Sequence, residues 1–173
     1  MGEENLEILI DAAKIKRRVS ELGREISKDY AGRFLTALVV LKGGIMFASD
    51  LVRAIDVPVS LEMIGLRSYG KSTASSGVVE ITLDLSSPIE GQHVLVIEDI
   101  VDTGLTLNYL LDNLRTRRPA SVRVCALLHK PERAKAPVKV DYKGFTVPDR
   151  FVVGYGMDLD EKHRNLPYIA AID

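Results

Sequence analysis

The sequence predicts an α/β fold: a central, mostly parallel sheet flanked by helices. Three observations predict it. Apolar runs of β type alternate along the chain with stretches of helical period. The runs His93–Ile97 and Val122–Leu128 are almost continuously apolar, as in strands buried on both faces. The residues with chemical character, Lys42–Gly44, Glu98–Thr106 and Lys130, each follow such a run, at the strand ends where ligands collect in open α/β sheets.

Leu6, Leu9, Ala13, Ile15, Val19, Leu22 and Ile26 step mostly by threes and fours, which predicts one amphipathic helix. Lys14, Lys16, Arg17 and Arg18 are its solvated charges. Thr36–Leu41 reads as a strand ended by Lys42-Gly43-Gly44, Ile45–Ile55 as a helix and Val59–Leu66 as a strand. Arg67–Gly77, rich in Ser, Thr and Gly, is a long polar loop. Val78–Leu85 alternates as a strand, and Ser86–Gly91 is a turn. His93–Ile97, a strand, leads through Glu98–Asp102 into a helix over Thr103–Leu114. Val122–Leu128 is the next strand. The tail after Lys130 carries Pro, Gly and aromatics, with one short strand at Phe151–Val153. There is no repeat and no linker, so the 173 residues are expected to form a single domain.

Composition narrows the function classes. With 46% apolar and 27% charged residues the chain is globular rather than disordered. A net charge of −1 supplies no basic field for nucleic acid. The one cysteine, Cys125, excludes an internal disulfide and a Cys-rich metal site, and its apolar neighbours make it a small core residue. No apolar stretch reaches the roughly 18 residues that span a bilayer. The acidic start MGEENLEILI lacks a signal-peptide pattern, and the hydroxyl residue of a myristoylation motif is missing after Gly2. A cytoplasmic location is the expectation.

The run VLVIEDIVDTGLTL, Val94–Leu107, carries the strongest chemical signal. An apolar strand delivers two adjacent carboxylates, Glu98 and Asp99. Asp102-Thr103-Gly104-Leu105-Thr106 then turns into a helix. A glycine allows a tight turn whose successive N–H groups face one point, and the helix N-terminus adds positive potential. With the Thr103 and Thr106 hydroxyls this makes a nest for a phosphate monoester. Carboxylates beside such a nest suit sugar hydroxyls or a hard cation. Phosphate, diol and metal together describe a ribose 5-phosphate. A buried strand with Asp102 or Thr103 as an ordinary helix cap would account for those two residues but not for the acid pair. The run is neither a Walker A loop nor a dinucleotide-binding glycine turn. A receiver-domain opening, with Asp141 as phosphoacceptor, leaves too little chain after Asp99 for the remaining βα units.

This run closely resembles the phosphoribosyl-diphosphate signature of type I phosphoribosyltransferases, and the chain from about Leu6 onward is similar to their hypoxanthine-guanine branch. The resemblance implies a small hood formed by terminal segments, its base-binding part mainly residues 130–173, and a mobile lid at about 67–77 with Ser68-Tyr69 as its recognisable pair. It implies a pyrophosphate loop at Lys42 and Gly43, contacting through backbone and carrying a cis peptide at Leu41–Lys42, with Arg164 a second pyrophosphate ligand. Lys130 would donate to the purine 6-oxygen, which selects 6-oxopurines over adenine. Phe151 would stack on the base and the Val152 backbone would bond it. Glu98 and Asp99 would hold the ribose hydroxyls and, with Asp158, organise Mg²⁺. Thr103, Gly104, Leu105 and Thr106 would bind the 5-phosphate, and Asp102 would be the general base. Leu105 departs from the polar residue of some members and offers only its N–H. His129 and His163 receive no role, and His93 is structural. The implied partners are phosphoribosyl diphosphate and a purine base, in a homodimer or homotetramer. A pyrimidine-operon RNA-binding regulator of the same fold is the competing expectation, opposed by the charge balance and by Lys130 with Phe151.

Overall fold

The computed structural model describes residues 5–68 and 79–172. Six strands form the main sheet: β2 (Leu35–Leu41), β3 (Val59–Ser68), β4 (Val79–Leu83), β5 (His93–Val101), β6 (Ser121–His129) and β7 (Tyr142–Thr146). They lie in the order β4-β3-β2-β5-β6-β7, and every pairing is parallel except β3 with β4. The expected fold class is therefore the observed one.

The sheet is packed on both sides. Ala37 and Val39 of β2, Leu95 and Ile97 of β5, and Cys125 and Leu127 of β6 face one core with Ile15, Leu22 and Ile26 of α1 (Ala12–Asp29) and Phe47 and Leu51 of α2 (Ile45–Ala54). The alternate residues Leu38, Val40, Val94, Val96, Val124 and Ala126 face a second core with Leu107, Leu110, Leu111 and Leu114 of α3 (Leu105–Thr116). This period-two division explains why β5 is apolar at every position from Val94 to Ile97 and fully buried there. Truncating a leucine such as Leu110, wholly buried in α3, costs about 2–5 kcal/mol.

A second, antiparallel sheet of three short strands has the order β1-β9-β8. It joins β1 (Leu6–Ile10) to β9 (Ile169–Ile172) and β8 (Phe151–Val153). Here the structure corrects the sequence reading: Leu6–Ile10 is not the first turn of a helix. The Asp11 side chain accepts from the Lys14 backbone N–H at 2.8 Å and caps α1 there, so the residues before it take their bonding from β9. β7 and β9 were not expected from the sequence. Of the lid expected at about 67–77, Arg67 and Ser68 pair with Glu80 and Val79 in the main sheet; Tyr69 and the rest of that segment lie outside the described residues. Among the described residues no helix is long and apolar enough to cross a membrane.

Candidate functional site

The carboxyl ends of β2 and β5, the turn into α3 and the segment after β8 enclose a cleft of about 320 Å³. Lys42, Gly43, Glu98, Asp99, Asp102, Thr103, Gly104, Thr106, Asp158 and Arg164 all line it. Residues spread over more than 120 positions of sequence are thus brought to one place.

Glu98 and Asp99 lie near the end of β5, half-buried. Burial, and then the neighbouring Asp99 charge, pushes the Glu98 carboxyl well above the ordinary range. Burial raises Asp99 as well, and the Arg164 charge works against that rise. Two carboxyls held together in poor contact with water retain a proton unless a cation joins them. The Asp99 carboxylate is fixed by the N–H of Ile100 at 2.8 Å and packs on the glycine loop: a Cβ on Gly43 would stand 1.7 Å from its Oδ2. Only glycine fits there. The Leu41–Lys42 peptide is cis, as the resemblance implied.

The helix begins at Leu105 rather than Thr103, and neither Asp102 nor Thr103 caps it. Gly104 does, at φ +81°, a left-handed conformation that favours glycine. A side chain there would also meet the Ala136 carbonyl at 2.8 Å. Because glycine brings no capping side chain, the helix's first N–H groups stay available to a ligand; Thr103 Oγ1 accepts only a long 3.4 Å bond from Leu105 N–H. The turn is anchored from outside, since the Thr103 carbonyl accepts from Lys135 and Ala136 N–H at 2.9 and 3.3 Å.

Asp102 has a partner the sequence did not announce. Arg133, in the short 3₁₀ turn Pro131–Arg133, places Nε 2.7 Å from Asp102 Oδ1 and an NH group 3.1 Å from Asp149 Oδ1. No periodicity or motif marks Arg133; the turn after β6 brings it there. Lys130 is buried rather than solvated, and its Nζ donates to the Arg150 carbonyl at 2.6 Å. The following residue, Phe151, leaves 53% of its surface exposed, while Val152 is buried.

Beyond β8, Asp158 and Arg164 pair at 2.9 Å, and Arg164 donates to the Gly156 carbonyl at 2.7 Å. Glu161, also absent from the sequence expectations, accepts from Lys42 Nζ at 3.0 Å and lies 3.3 Å from the Arg164 guanidinium. His93 bonds Ser121 Oγ through Nδ1 at 2.7 Å, a strand-to-strand tie that fits a structural role. A larger groove, about 920 Å³, runs between α3, β6 and residues 131–141; it shares Asp102 and Gly104 with the smaller cleft and carries His129, but Glu98, Asp99, Gly43 and Arg164 line only the smaller one.

The phosphoribosyl transferase domain model matches residues 5–160. A hypoxanthine-guanine phosphoribosyltransferase of Mycobacterium avium is 49% identical over 96% of this chain and 85% of its own length. One from Bacillus subtilis is 46% identical over 95% of this chain and 92% of its own. Among solved structures, a hypoxanthine-guanine phosphoribosyltransferase of Bacillus anthracis superposes with a TM-score of 0.94 at 41% identity, covering 99% of this chain and 100% of that one. The hypoxanthine phosphoribosyltransferase of Trypanosoma cruzi, in a ternary complex with substrates, gives 0.91 at 42% identity over 98% and 96% of the two chains. By sequence and by fold, the chain belongs to the hypoxanthine-guanine phosphoribosyltransferase family.

Proposed function

We propose that this chain is a purine salvage enzyme: it transfers the 5-phosphoribosyl group from phosphoribosyl diphosphate to a 6-oxopurine, hypoxanthine or guanine, releasing pyrophosphate. The observation that carries the reading is the single cleft in which the Glu98–Asp99 pair, the Asp102–Thr106 turn, Gly43 and Arg164 meet. The names of the relatives point the same way, and they lend nothing to the RNA-binding regulator.

Thr103, Gly104, Leu105 and Thr106 bind the 5-phosphate through the N–H groups and hydroxyls at the start of α3. Glu98 and Asp99 accept from the ribose hydroxyls. Lys42 and Gly43 offer backbone, and Arg164 a guanidinium, to the pyrophosphate. Lys130 donates to the purine 6-oxygen, Phe151 stacks on the ring, and the Val152 backbone bonds the base edge. Asp102 takes or steers the proton of purine N7, where a positioned base is worth roughly 10²–10⁴-fold in rate. Negative charge beneath the ribose suits the positive charge that develops at C1.

The donor set fits Mg²⁺. No three metal-binding side chains converge among the described residues, and Mg²⁺ characteristically takes one or two carboxylates and completes its shell with phosphate oxygens and water. Glu98 and Asp99 would hold Mg²⁺ on the ribose side, and Asp158 would lie near Mg²⁺ on the pyrophosphate side. When bound, it neutralises charge on the pyrophosphate leaving group. The lid implied at about 67–77, with its Ser68-Tyr69 pair, would exclude water from the reacting carbon. We also place the enzyme in the cytoplasm, as a homodimer or homotetramer; exposed Leu61 and Met63, on one face of β3, support burial against another copy.

The test is an assay with phosphoribosyl diphosphate, Mg²⁺ and, separately, hypoxanthine, guanine, xanthine, adenine and uracil. Turnover of a 6-oxopurine that stops without Mg²⁺ is the expected result. Turnover of uracil alone, or of no base, would discard the reading. Light scattering on the eluting protein checks the oligomer.

A further inference from the structure

Glu161 sits where an anion belongs. Its carboxylate reaches the Lys42 ammonium at 3.0 Å and the Arg164 guanidinium at 3.3 Å, two cations on the cleft wall that come from opposite ends of the chain. The contact is constructed. Asp160 and Glu161 have φ of +50° and +64°, conformations that L residues with side chains seldom adopt and that surrounding bonds must hold. Those bonds are present. The Glu161 N–H donates to Asp158 Oδ2 at 2.8 Å, while Asp158 Oδ1 holds Arg164 at 2.9 Å. Leu159 and Lys162 exchange backbone bonds at 3.2 and 2.9 Å across the turn. The turn therefore projects one carboxylate between two cations, and those cations hold it below the ordinary range, Lys42 most strongly.

We propose that Glu161 is an internal competitor of pyrophosphate: it neutralises Lys42 and Arg164 in the empty cleft, is displaced when the diphosphate enters, and returns as pyrophosphate leaves. The inference rests on the reading of Lys42–Gly43 and Arg164 as the pyrophosphate side of the site. The Arg164 guanidinium is the cation that the carboxylate and the diphosphate would share, and the two anions repel one another there, so binding the diphosphate favours release of Glu161. The exposed position of Glu161 lets it swing out into water at little cost and keeps the competition mild. Its benefit lies in product release, since an anion that takes back the cations weakens the hold on the departing pyrophosphate.

The experiment measures pyrophosphate as an inhibitor competing with phosphoribosyl diphosphate, using the full chain with Mg²⁺, for wild type, Glu161→Gln, Glu161→Asp, Arg164→Gln and Glu90→Gln. Glu90 pairs with Arg118 outside the cleft and controls for the change in net charge. Glu161→Gln should lower the pyrophosphate inhibition constant roughly threefold to tenfold, as expected for losing two exposed ion pairs. The KM for the purine should stay unchanged, Glu161→Asp should fall between, and Glu90→Gln should match wild type. Arg164→Gln should raise the constant. A Glu161→Gln constant equal to or above that of wild type, with Arg164→Gln raising it, overturns the inference and leaves the site reading intact. No change in either variant overturns the site reading itself, and the inference with it.

Discussion

The proposed phosphate side of the site, Glu98–Thr106, is one continuous stretch of chain, whereas the proposed base and pyrophosphate side is gathered from Lys42, Lys130, Phe151 and the turn from Asp158 to Arg164. The first is made of main chain. The ligands proposed there are N–H groups at a helix start, on a turn held by a left-handed glycine and by bonds from Lys135 and Ala136 N–H to the Thr103 carbonyl. The second relies more on side chains, and its charged ones depend on neighbours for their places, such as Lys130 on the Arg150 carbonyl and Arg164 on Asp158. Backbone groups cost little further ordering when a ligand binds, while long side chains lose rotamer freedom. The nest should hold its geometry from one ligand state to the next, and the opposite wall should adjust.

The most severe break in that comparison is Asp102→Ala, on the nest side. We expect turnover of a 6-oxopurine to fall roughly 10²–10⁴-fold with phosphoribosyl diphosphate affinity largely kept, because the group lost handles a proton rather than the phosphate. Steady-state kinetics together with calorimetric titration of phosphoribosyl diphosphate separate the two quantities. Next comes Gly43→Ala, at the seam between the walls. The added methyl must displace the Asp99 carboxylate or the loop, since 1.7 Å separates them. A displacement of that size should lower kcat/KM for phosphoribosyl diphosphate by roughly a hundredfold.

Those two residues also show what could be read from sequence. The nest was legible because its parts are neighbours: strand, acid pair, glycine and helix occur in order within Val94–Leu107. The parallel sheet was legible because a strand buried on both faces must be apolar throughout. The misses share the opposite property. Leu6–Ile10 carries spacing that continues the following helix, and only its partner β9 makes it a strand. β7, Tyr142–Thr146, contains Lys and Gly and joins the sheet because β6 offers it an edge. Arg133 and Glu161 are ordinary surface charges until a turn swings each against a site residue. Long-range pairing leaves no local mark.

A milder probe addresses the base wall. Phe151→Ala should raise the KM for the purine roughly tenfold, the value of a lost ring stack with its buried area, and leave the melting temperature almost unchanged because the ring is half exposed. A matching fall in stability would mean that the ring serves packing instead.

The smallest expected effect lies outside both walls and shows whether stability and catalysis are separable. The Tyr142 hydroxyl, at 2.6 Å, and then Arg123, at 2.8 Å, hold the Asp29 carboxyl below its ordinary 3.8, against the cost of burial. A carboxylate whose value is depressed by folding stabilises the protein above its unfolded value, and that contribution disappears as pH falls through the folded one. The difference in melting temperature between wild type and Asp29→Asn should therefore be present at neutral pH and shrink once pH drops below about 3.8. At neutral pH, kcat should be the same in both.

The three-stranded sheet ties the beginning of the described chain to its end, with Leu6 opposite Ile172 and Ile8 opposite Ala170. A nascent chain emerging from the ribosome can complete the whole phosphate nest well before this pairing becomes possible. The pairing of β1 waits until residues 169–172 are made, and β8, which carries Phe151 and Val152, also waits for β9. Closing a loop that spans nearly the entire sequence is slow compared with forming the local βα units before it. The order of biosynthesis thus becomes an order of assembly, phosphate side first and base side last. A chain interrupted before Ile169 would carry a formed nest beside an unpaired first strand, an exposed edge of the kind that quality-control chaperones recognise.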